Sequence, residues 1–249
     1  MKTELVEVRF EGEVARLILN RPEARNALSL EMIDRLLPAV ERIAKSETTR
    51  VVVIEGTGKS FCAGMDLKGV LDDPVMMGDM LRRLARVTVA LRSIGVPTIA
   101  RVQGAAIGGG CGLCGVCDFV VSHPGVKIGY PEVSLGICPA VVAPWLVLRI
   151  GAGNARSILL SGGTLPAEKA LQLGMIDRLV PEKSLDEEVH ALIGKILAGG
   201  PKAILVTKKC LNELDGAGVE AQVLRGAELS AEVIMGEEAQ ERLRKVFAK

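Results

Sequence analysis

Two glycine-bearing segments contain the residues best suited to chemistry, FCAGMDLKG at 61–69 and VQGAAIGGGCG at 102–112. Each follows an apolar run, at 51–56 and 97–102, that predicts a buried strand. Glycine at a strand end lets the backbone approach a ligand closely or adopt dihedral angles closed to other residues. Two such turns can direct two backbone N–H groups at one point. This oxyanion-hole arrangement suits a carbonyl that gains negative charge, as a thioester does when it becomes an enolate.

Glu132 is the acidic residue best placed for proton transfer. It lies in the segment GYPEVSLG, among the apolar or aromatic neighbours Tyr130, Pro131, Val133 and Leu135. Exclusion of water raises the pKa of a carboxylate and makes it a better proton acceptor. The structural alternative is a glutamate at a helix start that faces solvent, as most glutamates do.

Two other patterns in the second segment are interpreted as packing rather than as cofactor sites. In a dinucleotide site, the G-x-G-x-x-G pattern begins directly at the end of a strand. Here the pattern, at 110–115, begins well after the predicted strand end. The C-x-x-C-x-x-C pattern at 111–117 lacks the fourth cysteine and proline of an iron–sulfur motif, and its thiols share one helix face. His123 and His190 have no metal-ligand spacing. We expect no metal site.

The elements around these segments predict an α/β protein, because strands and amphipathic helices alternate in the order strand–strand–helix. Glycines and a proline at 199–201 predict a boundary between a core at 1–197 and a C-terminal helical region at 198–249. The remaining predictions, in chain order, are a β-hairpin over 7–20, a helix from 30 with Ser29 as N-cap, a mobile loop over 70–78, a helix over 81–94, a strand over 119–122 and almost continuous helix from Pro166 onward.

Composition excludes several functional classes. The chain has 249 residues, 49% of them hydrophobic, and a net charge of +1 from 31 basic and 30 acidic residues. This balance predicts neither a nucleic-acid partner nor an anionic membrane partner. No apolar run reaches the roughly 20 residues of a membrane span, and the N-terminus lacks a signal-like apolar stretch. Six cysteines without a signal predict reduced thiols, and hence a cytoplasmic protein.

The sequence resembles the enoyl-CoA hydratase/isomerase family, or crotonase superfamily, over nearly its whole length. The matching motifs are LNRPEARNALS, SFCAGMDL, GAAIGGGCGL, GYPEVSLGICPA and SGGTLPAEKALQLGMIDRLVP. The resemblance implies a spiral of ββα units with a C-terminal helical trimerisation part. It also implies an acyl-CoA thioester substrate, no cofactor beyond the coenzyme A of that substrate, and a homotrimer or hexamer.

The resemblance also assigns roles to residues. The N–H groups of Met65 and Gly109 would donate to the thioester oxygen, and Glu132 would be the catalytic acid/base. The backbone from Ala63 to Leu67 would surround the adenine end of coenzyme A, although Asp66 there can also be an ordinary helix cap. The implied substrate-binding residues are Ala24, Arg25, Ala63, Gly64, Asp66, Leu67, Gly108, Pro131 and Leu135.

Gly112 is the main departure from the family pattern, because classical hydratases carry a second glutamate at this position. Two carboxylates can share and position a water, whereas one carboxylate can still move a proton between two carbons, as the family's Δ3,Δ2-enoyl-CoA isomerases do. Hydratases of branched or carboxylated enoyl-CoAs include members with glycine here, and the segment 135–151 resembles their methylglutaconyl-CoA hydratase branch. The sequence therefore predicts reversible hydration of a 2-enoyl-CoA, with isomerisation or catalytically weak acyl-CoA binding as alternatives. A glutamate introduced at 112 is expected to face Glu132.

Overall fold

The structure, a computed structural model, describes residues 4–247, where short strands in two sheets alternate with helices. The strands are β1 (Val6–Glu11), β2 (Val14–Leu19), β3 (Val51–Gly56), β4 (Thr98–Arg101), β5 (Ala105–Ile107), β6 (Phe119–Ser122), β7 (Lys127–Gly129), β8 (Thr164–Leu165) and β9 (Arg178–Leu179). The helices are α1 (Leu30–Ala44), α2 (Pro74–Arg92), α3 (Gly109–Gly115), α4 (Ala143–Ser161), α5 (Ala167–Leu173), α6 (Leu185–Leu197), α7 (Pro201–Gly216), α8 (Val219–Met235) and α9 (Glu237–Phe247). Short 3-10 turns occur at Pro22–Ala24, Leu67–Val70, Glu132–Leu135 and Glu182–Ser184.

The larger sheet has the strand order β1-β2-β3-β4-β6-β9, and all its pairs are parallel except the β1–β2 hairpin. The predicted hairpin is thus confirmed. The continuous apolar run of β3 reflects burial on both faces, as is usual in parallel sheets. Val52 and Ile54 face the main core, while Val51 and Val53 pack toward α6.

The smaller sheet, in the order β5-β7-β8, turns the chain into a spiral of ββα units and confirms the predicted fold class. Strands β4 and β6 lie in the larger sheet, and each is followed by a strand of the smaller sheet, β5 or β7. Strand β5 is not predicted from the sequence, because three residues between glycines are too short to show a period. The second glycine turn therefore begins directly at the end of a strand.

Helix α2 corrects the predicted loop over 70–78, because residues from Pro74 onward are helical. The Oδ1 atom of Asp73 accepts a hydrogen bond of 2.9 Å from the Met76 amide, and Pro74 occupies the first turn. Met77 is fully buried. A side-chain cap followed by proline is a typical helix start, and here it adds two turns to the helix expected from 81.

The C-terminal helices share the main core, since α8 packs along α2, and α9 contacts the turn at Glu132–Leu135. Val223, Ala227 and Leu243 belong to that core. The break between α6 and α7 coincides with the predicted boundary, but the division into 1–197 and 198–249 stays a prediction. No single helix within residues 4–247 has the length and hydropathy to cross a membrane; Glu182–Leu197 and Pro201–Gly216 pass that test only as a pair, bent by 103°.

Candidate active site

A cavity of about 370 Å³ opens between the turn after β3, the start of α3 and the turn after β7. It brings together every predicted site residue except Gly112. Its lining includes Ala24, Arg25, Ala63, Gly64, Met65, Asp66, Leu67, Gly108, Gly109, Pro131, Glu132 and Leu135.

A larger cavity, of about 820 Å³, lies beneath α7 and contains none of the predicted residues. Its charged side chains pair with one another, as in Lys208–Asp118 at 2.7 Å and Arg92–Asp215 at 2.9 Å. The smaller cavity is therefore the candidate active site, since an unsatisfied carboxyl group and unsatisfied amides converge there.

The two glycine turns are held against each other by backbone hydrogen bonds. The Cys62 amide donates to Ala105 O at 2.9 Å, and the Ile107 amide donates to Cys62 O at 3.0 Å. These bonds continue the smaller sheet into the first turn. As a result Met65 and Gly109 are neighbours: a Cβ built on Gly109 would lie 3.6 Å from Met65 Cγ.

Each of these two residues follows a glycine with positive φ, which is +97° at Gly64 and +53° at Gly108. A side chain at either glycine would also collide, at 2.9 Å from Ile107 O or 2.7 Å from Glu132 Oε1. Both positions therefore require glycine.

The amides of Met65 and Gly109 are free to bind a ligand. The adjacent amides of Asp66 and Gly108 donate to Leu28 O and Gly129 O, at 3.0 and 2.8 Å. Across the part of the chain that the structure describes, the N–H groups of Met65 and Gly109 have no acceptor. Two adjacent, unengaged donors are what an oxyanion requires.

Glu132 is placed beside these amides by the pairing of β5 with β7, in which Ile107 lies opposite Gly129. The Ile137 amide donates to Glu132 O at 2.9 Å and closes the turn that carries the side chain. The Oε2 atom is buried and has no hydrogen-bond partner within residues 4–247. Burial raises the pKa of Glu132 to about 7, although a backbone hydrogen bond opposes this. Such a carboxyl group can exchange protons near neutral pH.

Gly112 lies outside the cavity, and the structure differs here from the expectation that a side chain at this position would face Glu132. A Cβ at Gly112 would lie 2.5 Å from Cγ1 of Val142, which is only 1% exposed. The valine occupies the space into which a side chain at 112 would extend. Among the described residues that line the cavity, Glu132 is therefore the one carboxylate besides Asp66, which is paired with Arg21.

Known proteins resemble this chain over most of its length. The family model described as "Enoyl-CoA hydratase/isomerase" matches residues 9–245. The chain belongs to the enoyl-CoA hydratase/isomerase family. It is 31% identical to the crotonyl-CoA hydratase of Syntrophomonas wolfei, over 93% of this chain and 89% of that protein.

Further relatives are also named as hydratases or hydratase/isomerases. The identity to the 2,3-dehydroadipyl-CoA hydratase of Escherichia coli K12 is 30%, over 91% of this chain and 89% of that protein. A crystal structure of an enoyl-CoA hydratase/isomerase from Mycobacterium paratuberculosis superposes with a TM-score of 0.88 at 25% identity, covering 97% of this chain and 98% of the other. The likeness to the methylglutaconyl-CoA hydratase branch stays a prediction.

The wall of the cavity beyond Glu132 is apolar, and sequence patterns could not identify its residues individually. The segments 70–85 and 135–147 both contribute residues to the lining. Helices α8 and α9 add two more residues, which no local pattern indicated. The apolar side chains of this wall are Leu81, Leu84, Ile137, Val141, Ile234 and Phe247.

The three cysteines of the C-x-x-C-x-x-C pattern are packed inside the protein. Cys111, Cys114 and Cys117 are buried, and the Cys114 thiol donates to Cys111 O at 3.2 Å. Burial raises the pKa of Cys117 to about 12, which disfavours the thiolate that metals bind. Within residues 4–247 no group of three or more His, Cys, Asp or Glu side chains is placed to hold a metal ion.

Sequence reasoning missed Arg21, which also lines the cavity. Its Nη1 atom lies 2.6 Å from Asp66 Oδ2. Asp66 begins the 3-10 turn Leu67–Val70, but its side chain accepts no capping hydrogen bond from that turn. The signal was present in the motif LNRPEARNALS, although nothing in that motif identifies Asp66 as the partner of its first arginine.

Proposed function

We propose that this protein catalyses the reversible hydration of a 2-enoyl-CoA. The observation that carries the proposal is the convergence of the Met65 and Gly109 amides with the buried carboxyl group of Glu132 on one cavity. The hydratase names of relatives that match most of this chain support it.

The geometry supports a mechanism through an enolate. The thioester oxygen of the substrate accepts hydrogen bonds from Met65 and Gly109. Glu132, as the carboxylate, takes a proton from water while the water oxygen bonds to C3 and the π electrons move toward the thioester oxygen. The enolate then takes a proton at C2 from Glu132, which restores the carboxylate. Because negative charge on the oxygen is largest at the enolate, the two amides stabilise that state most, and one such donor is typically worth about a hundredfold to a thousandfold in rate.

The rest of the cavity has a polar end and an apolar end, which match the coenzyme A and the acyl chain of the substrate. Arg25 and Lys68 are exposed cations at the end formed by the first glycine turn, and they suit the phosphates of coenzyme A. The backbone from 63 to 67 would surround the adenine, and the apolar wall beyond Glu132 would hold the acyl chain. The reaction needs no cofactor beyond the coenzyme A of the substrate.

Isomerisation is the second candidate. The observation that favours it is that position 112 carries no carboxylate and that Val142 fills the adjacent space. A panel of 2-enoyl-, 3-enoyl- and 3-hydroxyacyl-CoA thioesters, scored separately for hydration and for double-bond migration, tests both candidates. Hydration faster than migration supports the proposal. Saturable acyl-CoA binding without either reaction would instead favour the catalytically weak binding protein.

We also propose that the protein forms trimers or hexamers. Helix α7 exposes four large apolar side chains, Leu205, Val206, Leu211 and Leu214, of which Leu214 is 76% exposed. Several large exposed apolar side chains on one helix are typical of a surface that a partner covers. Light scattering should give the mass of three or six chains, and a monomer at micromolar concentration would contradict the assembly. The cytoplasmic location stays a prediction.

A further inference from the structure

The ion pair between Arg21 and Asp66 lies directly beside the oxyanion donor Met65. Besides its contact with Asp66, the Nη1 atom of Arg21 donates to Ala27 O at 3.2 Å. The pair is shielded, with side-chain exposures of 25% for Arg21 and 21% for Asp66. A shielded charge-assisted hydrogen bond holds its partners more firmly than a solvent-exposed ion pair does.

Arg21 is itself fixed to the protein interior through Asn26. The Arg21 amide donates to Asn26 Oδ1 at 2.8 Å, and Asn26 Nδ2 donates to Thr57 O and Ser60 O at 2.9 and 2.8 Å. Asn26 is completely buried and has a φ of +54°. The pair therefore links the first glycine turn to a rigid anchor at the end of β3.

The peptide group of Met65 is held from both sides by the same region. The Leu28 amide donates to Gly64 O at 2.8 Å, and the Asp66 amide donates to Leu28 O at 3.0 Å. Because the N–H of Met65 belongs to the same peptide group as Gly64 O, these bonds and the fixed side chain of Asp66 hold that N–H in one direction at the cavity wall. The alternative for a glycine-containing turn is to rotate the peptide, which would turn this donor away.

We infer that Arg21 and Asp66 are positioning residues for the Met65 oxyanion donor. Asp66 then acts through the backbone and not as a contact of coenzyme A, which is the role that the family resemblance implied. The inference rests on the proposed function, because it assumes that a thioester oxygen occupies the site between Met65 and Gly109.

The test compares Asp66→Asn, Arg21→Met, the double variant and the conservative Arg21→Lys with wild type. Misplacement of a donor by about an ångström typically costs up to about a hundredfold in rate. We expect each disruptive single variant to lower kcat by roughly tenfold to a hundredfold while KM changes less than about threefold. The double variant should be no worse than the poorer single variant, because both remove the same link. Arg21→Lys should retain more activity than Arg21→Met.

The matched control is Asp215→Asn, which breaks a different ion pair, the one with Arg92 between α2 and α7. This variant should leave kcat unchanged.

A second readout does not depend on turnover. The absorption of 4-(dimethylamino)cinnamoyl-CoA should shift to the red when its thioester carbonyl accepts hydrogen bonds, because polarisation of the carbonyl draws charge from the amino end. Wild type should show this shift on binding, and Asp66→Asn and Arg21→Met should show a smaller one at saturation. If wild type shows the red shift but catalyses no hydration, and the variants lose the shift, the inference stands and the proposed function is wrong.

Three results would overturn the inference. An increase in KM with unchanged kcat would mean that the pair binds coenzyme A. A lower melting temperature with unchanged kcat and unchanged absorption shift would mean that it only stabilises the fold. No red shift in wild type would mean that Met65 and Gly109 do not hold the thioester oxygen.

Discussion

Replacement of Glu132 by glutamine exchanges one carboxyl oxygen for an amide NH₂ group, so it tests the proton-transfer role of this side chain with little change in shape. Glutamine has almost the same volume and can occupy the same buried position, but it cannot take up or release the proton. General acid–base groups contribute roughly a hundredfold to ten-thousandfold. Because one carboxyl group performs both proton transfers in the proposed mechanism, we expect kcat to fall about ten-thousandfold, which is about 5 kcal/mol in the activation barrier.

The same substitution should stabilise the protein above neutral pH. Burial raises the pKa of Glu132 from 4.5 to about 7, so the folded protein binds this proton more tightly than the unfolded chain does. The stability of wild type therefore contains a contribution that is full below about pH 4.5 and is lost as the pH rises through about 7. The change in pKa corresponds to about 3 kcal/mol. The quantity to compare is the unfolding free energy of Glu132→Gln minus that of wild type. This difference should be up to about 3 kcal/mol larger at about pH 8 than at about pH 4.

The assay follows the absorbance of the conjugated enoyl thioester, with denaturant unfolding at both pH values on the same samples. Glu187→Gln, an exposed position on α6, is the matched control and should behave like wild type. Binding of the acyl-CoA should change only a few-fold, because the backbone amides and the coenzyme A end are untouched. A folded Glu132→Gln protein with a kcat within about tenfold of wild type would refute the acid/base role. Equal pH dependence of stability in the two proteins would refute the argument from burial.

The geometry of the site also determines how activity should respond to pH and to substitutions at Gly109 and Gly112. The pH profile of kcat/KM should rise with an apparent pKa near 7, since the carboxylate of Glu132 is the active form; a flat wild-type profile across that range would contradict this. Gly109→Pro should lower kcat by roughly a hundredfold to a thousandfold, because proline has no N–H to donate. Gly109→Ala should stay within about tenfold of wild type, because its Cβ would collide only with the flexible end of Leu84, at 2.9 Å, and would make ordinary contacts with Leu28 and Met65. Melting curves check the fold of both variants, and equal activity of the two would rule out this donor. Gly112→Glu should destabilise the protein by about 1–3 kcal/mol, because its side chain collides with Val142, and it should not increase crotonyl-CoA hydration. Adding Val142→Ala to the same chain should recover part of the melting temperature. Faster hydration by the Gly112→Glu variant alone would show that its side chain does reach Glu132.

The sequence by itself determined the features that depend on neighbours along the chain. Glycine at 64 and 108 indicates a backbone that other residues cannot adopt, so the two turns could be recognised without coordinates. Ser29 predicted the start of α1, where its Oγ accepts from the Met32 amide at 3.3 Å. The apolar neighbours of Glu132 predicted a carboxyl group with little water around it.

Local patterns failed where an element was too short or where its start depended on packing. Strand β5 has three residues and exists because β7 pairs with it, so no period could reveal it. The first turns of α2 differ from the predicted loop, because Asp72, Asp73 and Pro74 are typical loop residues and conceal the burial of Met77 against the core.

Only the tertiary structure decided which residues meet across the chain. Val142 fills the space beside Gly112, and Arg21 pairs with Asp66, a residue 45 positions away in sequence. The apolar wall joins α2, the segment 137–141 and the last two helices. Propensities and periods describe interactions between near neighbours, whereas the contents of a cavity depend on which distant side chains the sheets and helices bring into the same volume.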